Sequence, residues 1–203
     1  MDSLTQLLQL HGGVITRKQA DAWGIDPHQL THWVREDRLE RIQRGVYRQT
    51  GAPLLGQEGW LEVGLRIPYA VLCLRSALSF HGLTTYIPKE VDIAVPQNRY
   101  PPRLDYPPVR VHYFSDAIYA YGQQEAVIGG HTLRVYSIEK TLIDLLRFAN
   151  RYGEALFLEG LKNYLGGQNT QPGHLKLFEA ARVGRVERKL RPILQILTFS
   201  TNT

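Results

Sequence analysis

Residues 15–48 read ITRKQADAWGIDPHQLTHWVREDRLERIQRGVYR, and their start and stop signals decide the fold. Thr16, followed three residues later by Gln19, is a capping box: the hydroxyl satisfies an open N–H of the first helical turn and the amide reaches back to the cap residue. Trp23-Gly24 ends that helix, since glycine takes the left-handed conformation of a C-terminal cap without steric cost. Asp26 caps the next helix, Pro27 fills its first position, where a missing N–H costs nothing, and Gln29 closes a second box. Ile25 and Leu30 staple the chain across that cap. Two helices joined by so tight a turn form a helix-turn-helix.

At 100° per residue the second helix sorts into two faces. Leu30, Trp33 and Val34 share the apolar stripe. His28, Thr31, His32 and Arg35 share the opposite one, with Gln29 beside them and one acid, Glu36, at the edge. Donors, acceptors and a guanidinium on one helix face are the chemistry of a major-groove reader. Leu39–Ile42, a turn at Gln43-Arg44-Gly45 and Val46–Arg48 then read as a short hairpin. Over residues 38–48 four arginines (Arg38, Arg41, Arg44, Arg48) stand against Glu40, a net of +3. A basic hairpin directly after a reading helix is a wing placed to grip phosphates.

Working outward, Ser3 is expected to cap a first helix over residues 2–11, with Leu4, Leu7 and Leu8 on one face and Gly12-Gly13 as its stop. Val14-Ile15 is an extended link, a candidate strand beside the wing. Residues 1–50 then make a winged helix-turn-helix DNA-binding domain. The chain has 203 residues, far more than this unit needs, so a second domain is expected. Composition is ordinary for a globular protein, 43% hydrophobic and 21% charged, enough to fill a core. A net charge of +5 leans modestly toward a polyanionic partner. One cysteine, Cys73, excludes an internal disulfide; in the run Ala70–Leu74 it reads as a buried small hydrophobe. With no signal peptide and no apolar run near the ~18 residues of a membrane span, the expectation is a soluble, cytoplasmic protein with no membrane partner.

Gln49–Gly56 has turn residues without periodicity and marks the expected boundary. Beyond it, residues 57–203 read as one α+β domain. Gln57–Ile67 is a predicted helix, and Ser76–His81 a shorter one. Val91, Ile93 and Val95 alternate with Asp92 and Ala94, a predicted half-buried strand. Pro96–Pro108 is a proline-rich loop, Val109–Phe114 another strand, and Ala126–Tyr136 a hairpin turning at Gly129-Gly130. Four strands, mostly antiparallel, are expected. Ser137 caps a helix with Ile138, Leu142, Leu145, Leu146 and Ala149 inward and Lys140, Asp144 and Arg147 outward. Further helices are expected at about 153–165, 174–183 and 185–197, the last bent or restarted by Pro192.

Catalytic signals are weak. His28 and His32 stand i, i+4, a spacing that can hold a metal, but Gln29 replaces the glutamate of the HExxH arrangement and no third ligand is near. Asp92, with Lys89 and Glu90 before it, is the sole carboxylate cluster on the sheet and reads as a solvent-facing strand edge. No phosphate-cradling glycine loop and no nucleophile elbow is present, so neither metal nor cofactor is expected. From His174 to Arg191 six cations, including Arg182, Arg185, Arg188 and Lys189, face Glu179 and Glu187, a net of +4: a solvated helix face, or a second phosphate-contacting patch.

The order of these segments carries a resemblance. A winged helix ending in Arg44-Gly45-Val46-Tyr47-Arg48, then Ala77-Leu-Ser-Phe-His-Gly-Leu83, then Ser137-Ile-Glu-Lys-Thr-Leu-Ile-Asp144 resembles the AbiEi antitoxins of type IV (AbiE) toxin–antitoxin systems, which act in abortive infection against phage. The resemblance implies a winged helix that binds inverted repeats in promoter DNA and represses its own operon; because one reading helix covers few base pairs, two copies, a homodimer on DNA, are expected to fill the repeat. It also implies a C-terminal domain that counters a nucleotidyltransferase-like toxin without needing a stable complex. Two other readings stay open: a stand-alone winged-helix regulator whose second domain dimerises or senses a ligand, and a metal-dependent DNA-processing enzyme using Asp92.

Overall fold

The computed structural model describes residues 2–51, 57–128, 131–166 and 171–200. The N-terminal unit comprises α1 (Ser3–Leu10), β1 (Val14–Thr16), α2 (Arg17–Ala22), α3 (Pro27–Arg35), β2 (Leu39–Gln43) and β3 (Val46–Gln49). Both capping boxes are formed, Thr16 with Gln19 and Asp26 with Gln29. The three strands pair antiparallel in the order β1-β3-β2, so Val14-Ile15 does join the wing. Leu4, Leu7, Leu8, Ile15, Ile25, Leu30, Trp33 and Leu39 fill one core.

The cap of α1 differs from expectation. Asp2, not Ser3, is the cap, its carboxylate accepting from the Thr5 N–H at 2.9 Å. These hydrogen bonds from Thr5, with that from Arg38, hold the Asp2 carboxyl well below the usual carboxylate range. Helix α3 ends in a Schellman motif: Asp37 has φ +56°, its N–H donates to the Val34 carbonyl and the Arg38 N–H to the Trp33 carbonyl, so the last carbonyls are met as the chain turns into the wing.

The remainder is α4 (Gln57–Arg66), β4 (Val71–Leu72), α5 (Leu74–Phe80), β5 (Val91–Pro96), β6 (Val109–Phe114), α6 (Asp116–Ala120), β7 (Gln123–Ile128), β8 (His131–Tyr136), α7 (Ile138–Arg147), α8 (Ala149–Tyr152), α9 (Ala155–Gly166), α10 (Gln171–Gly184) and α11 (Glu187–Ser200). The class is α+β, as expected. Its sheet has five strands in the order β6-β5-β4-β8-β7. β7–β8 and β4–β5 pair antiparallel; β5–β6 and β4–β8 pair parallel. The parallel β5–β6 pair needs a long crossover, which the proline-rich stretch 97–108 supplies. Gly129-Gly130 and much of the expected 49–56 boundary lie outside the described residues. Helix α11 runs through Pro192 rather than restarting there.

The sheet separates two cores. Val91, Ile93 and Val95 of β5 and Leu133 and Val135 of β8 face one side, packed with Trp60, Leu61 and Val63 of α4. Ala94, Phe114 and Tyr136 face the other, packed with α5, α7, α9, α10 and α11. Covered on both faces, β5 is buried along Val91–Val95 rather than half-buried. Helix α4 lies tight on β8: a Cβ at Gly64 would stand 2.2 Å from Leu133 Cδ2.

The same enclosure overturns the outward face predicted for α7. Lys140 and Asp144 are buried and pair at 2.5 Å, with the ammonium over the Tyr136 and Phe114 rings. Burial pushes the Lys140 pKa down and that of Asp144 up. Arg147 alone of the three is exposed. Polar residues four apart pair inside through Asp144 Oδ2, while Asp144 Oδ1 has no hydrogen-bond partner among the described residues; a count of faces reads the pair as a solvent side.

The N-terminal unit rests on this body. Val14 and Val46 belong to the α4 core, and the Val14 carbonyl is 3.1 Å from His131 Nε2.

Candidate nucleic-acid interface

The exposed face of α3 carries His28, Gln29, Thr31, His32 and Arg35, while Leu30 and Trp33 are buried beneath it. These groups are not equally available. The Gln29 side-chain oxygen accepts the Asp26 N–H at 2.9 Å, so the cap occupies it. The Thr31 hydroxyl donates to the Pro27 carbonyl at 2.9 Å, which leaves its lone pairs and methyl outward. His32 Nε2 lies 3.2 Å from Glu36. Among the described residues Arg35 has no ion partner.

The wing turns on Arg44-Gly45, with Gly45 at φ +79°, a conformation glycine adopts without strain. Its carbonyl accepts the Arg17 N–H at 2.7 Å, which ties the wing tip to the start of α2. The bond brings Arg17 and Lys18, both exposed, beside the wing. Arg17 pairs loosely with Asp21 at 3.7 Å, and Lys18 has no ion partner among the described residues; the sequence signal for both is their place in the first turn of a helix beside the wing. Arg41 and Arg44 are exposed and, among the described residues, without an ion partner.

The other two wing arginines are engaged within the protein. Arg38 pairs with Asp2 and lies over the Trp33 ring, 5.8 Å from its centroid. Arg48 donates to Glu40 at 2.5 Å and to Glu62 of α4 at 2.7 Å, its own side chain 14% exposed. Both read from sequence as phosphate contacts; both bind the wing to its surroundings.

The C-terminal basic stretch divides likewise. Arg182 and Arg191 pair with Glu187. Arg185, Arg188 and Lys189 are exposed and have no ion partner among the described residues. Arg188 and Lys189 lie on α11 and Arg185 at the α10–α11 junction, with helices that pack on the face of the sheet opposite the winged unit, so the sheet stands between this patch and the wing.

Asp92, read as a solvent-facing edge, is fully buried. Arg75 grips it in bidentate fashion at 2.6 and 2.9 Å, and His112 Nε2 lies 3.0 Å away. Burial alone raises a carboxyl's pKa; here the hydrogen bonds from His112 and Arg75 outweigh it and hold Asp92 below its ordinary value. Both oxygens are occupied by these neighbours, so the cluster is a buried polar network with no open acid for a metal.

The exposed α3 face and the cationic wing tip thus stand on one winged unit. Residues 2–49 match the family described as transcriptional regulator, AbiEi antitoxin. That span is the winged unit, and the match agrees with the resemblance carried by its residues. No curated protein matches the chain. Among the described residues no helix is long and apolar enough to cross a membrane.

Proposed function

We propose that the protein represses its own operon in the cytoplasm by binding inverted repeats in promoter DNA, and that it is the antitoxin of an AbiE-type pair whose toxin is nucleotidyltransferase-like. The observation that carries the DNA reading is the pairing of an exposed α3 face with a wing tip whose Arg41 and Arg44 are uncommitted. His28, Thr31, His32 and Arg35 meet base edges; Arg41 and Arg44, aided by Arg17 and Lys18, meet phosphates. Arg38 and Arg48 hold the wing rather than the DNA. No catalytic step is assigned.

The two sets should fail differently on the protein's own upstream region. Arg35→Ala is expected to cost about 1–3 kcal/mol on the operator and little on random DNA. Arg44→Ala should weaken both and lower the slope of log K against log salt by about 0.9. Gel-shift titrations at several salt concentrations read both; equal loss on operator and random DNA from Arg35→Ala would remove α3 as the reader.

One reading helix covers too few base pairs for a unique promoter, so two copies should fill two half-sites. Inserting half a helical turn between the repeats is expected to abolish cooperative footprints, and unchanged cooperativity would rule out the dimer.

The family match covers the winged unit, residues 2–49, and the second reading is a regulator without a toxin. Arg44→Ala in the full chain separates the two. Lost repression with protection of cells kept supports a direct antitoxin; protection falling in step with DNA affinity supports the plain regulator.

A further inference from the structure

A hollow of about 510 Å³ opens between the start of α6, the end of α7 and the α10–α11 junction. Three cations line it: Arg147, Arg185 and Lys189. None has an ion partner among the described residues. The Arg147 guanidinium is braced against the rings of Phe148 and Phe114, 5.6 and 6.0 Å from their centroids. Of the acids beside the lining residues, Glu187 pairs with Arg182 and Arg191, Asp144 is buried against Lys140, and Asp116 lines the adjacent hollow with Gln97 and Asn98. Ile118, Val183 and Val186 supply an apolar wall and Ser115 a hydroxyl-bearing one. Volume and lining suit a small ligand, one with a polyanionic end and an apolar body.

The backbone at Arg185 supplies an independent observation. Helix α10 ends in a Schellman motif, with the Arg185 N–H donating to the Arg182 carbonyl and the Val186 N–H to the Ala181 carbonyl. Its left-handed position, φ +58°, is held by Arg185, where glycine is the default and an L-residue is strained. A glycine stands one residue earlier, at Gly184, where a Cβ would lie 2.6 Å from Ile143 Cγ2. Packing thus explains Gly184, and the fold leaves the arginine that follows unexplained. The left-handed arginine is kept at a cost in stability, and the position sets its side chain in the lining of the hollow.

We propose that this hollow binds a nucleoside phosphate, with Arg147, Arg185 and Lys189 on the phosphates and the apolar wall against the nucleoside. It faces away from the winged unit across the sheet, so the site is separate from the DNA interface and takes a free nucleotide rather than the duplex.

The full chain is titrated by calorimetry with ATP, GTP, CTP and UTP in turn, and with tripolyphosphate. Saturable one-to-one binding of at least one nucleotide is expected, tighter than tripolyphosphate. Arg147→Gln and Lys189→Gln should each weaken it by about tenfold, the loss of one charged contact, and Arg44→Ala should leave it unchanged. Arg185→Gly should weaken binding to a similar extent while raising the melting temperature, because it relieves the left-handed arginine. That opposed pair of effects is one that damage to the fold does not produce. No saturable binding, binding indifferent to all three cations, tripolyphosphate as tight as the nucleotides, or loss of operator binding alone in these variants would each overturn the assignment.

Discussion

Asp92→Ala is expected to destabilise the protein by about 3–5 kcal/mol, the usual cost of removing one partner from a buried ion pair. The loss comes from what remains. The Arg75 side chain is 10% exposed and His112 2%, so neither can turn to water once the carboxylate is gone. Arg75 would keep Glu90 at 3.5 Å and the face of Tyr152 at 4.9 Å, both weaker than the bidentate grip it loses. Asp92→Asn keeps the shape and an acceptor and should cost less. The carboxyl's pKa is lowered in the folded state, so it binds fewer protons there than in the unfolded chain. Its contribution is therefore full above the unfolded value of about 4 and lost as pH falls through the lower, folded value. Urea titrations between pH 7 and pH 3 should show the parent losing stability at the acid end faster than Asp92→Asn. A fully stable Asp92→Ala would mean the network carries no structural load and would reopen the metal-site reading.

How far the sequence spoke followed the range of each interaction. Thr16–Gln19 and Asp26–Gln29 lie within four residues, so their geometry is written in spacing and the helix-turn-helix was legible. The cap of α1 slipped by one because Asp2 and Ser3 are both good caps and the apolar pattern does not choose between them. Arg38 and Arg48 were read as free because their partners, Asp2 and Glu62, lie 36 and 14 residues away; charge counting sees residues, not partners. β4, only Val71-Leu72, is too short to show a period, yet it joins the halves of the sheet. Lys140 and Asp144 show the complementary limit: an i, i+4 pair of opposite sign looks the same on a solvated face and in a core, and only the helices closing around α7 decide. The cationic hollow was visible as a charge run, but Arg147 comes from another helix and no spacing links it to Arg185.

Arg48→Ala should distinguish an arginine that positions the wing from one that touches DNA. Its guanidinium spans Glu40 on β2 and Glu62 on α4, so it fixes the wing against the body. Glu62 is only 3% exposed by side chain, and burial has already pushed its pKa up against the pull of Arg48 and Arg66. With Arg48 gone, Glu62 keeps Arg66 alone, at 3.3 Å, and the fold is expected to lose about 2–3 kcal/mol. The loss should depend on pH in a definite sense. A carboxyl whose folded pKa is raised binds more protons folded than unfolded, so acid favours the folded state across that window. Removing Arg48 raises Glu62 further, so the stability gap between Arg48→Ala and the parent should narrow as pH falls below the new folded value, while changes common to both proteins cancel. On DNA the variant should bind operator and random duplex more weakly, because the wing is less well held, but with an unchanged salt slope, since no phosphate contact is lost. Arg44→Ala should show the reverse: unaltered melting and a slope lower by about 0.9. Should Arg48→Ala lower the slope and leave stability intact, Arg48 reaches the phosphates in the complex, and its bridge to Glu62 is broken when DNA binds.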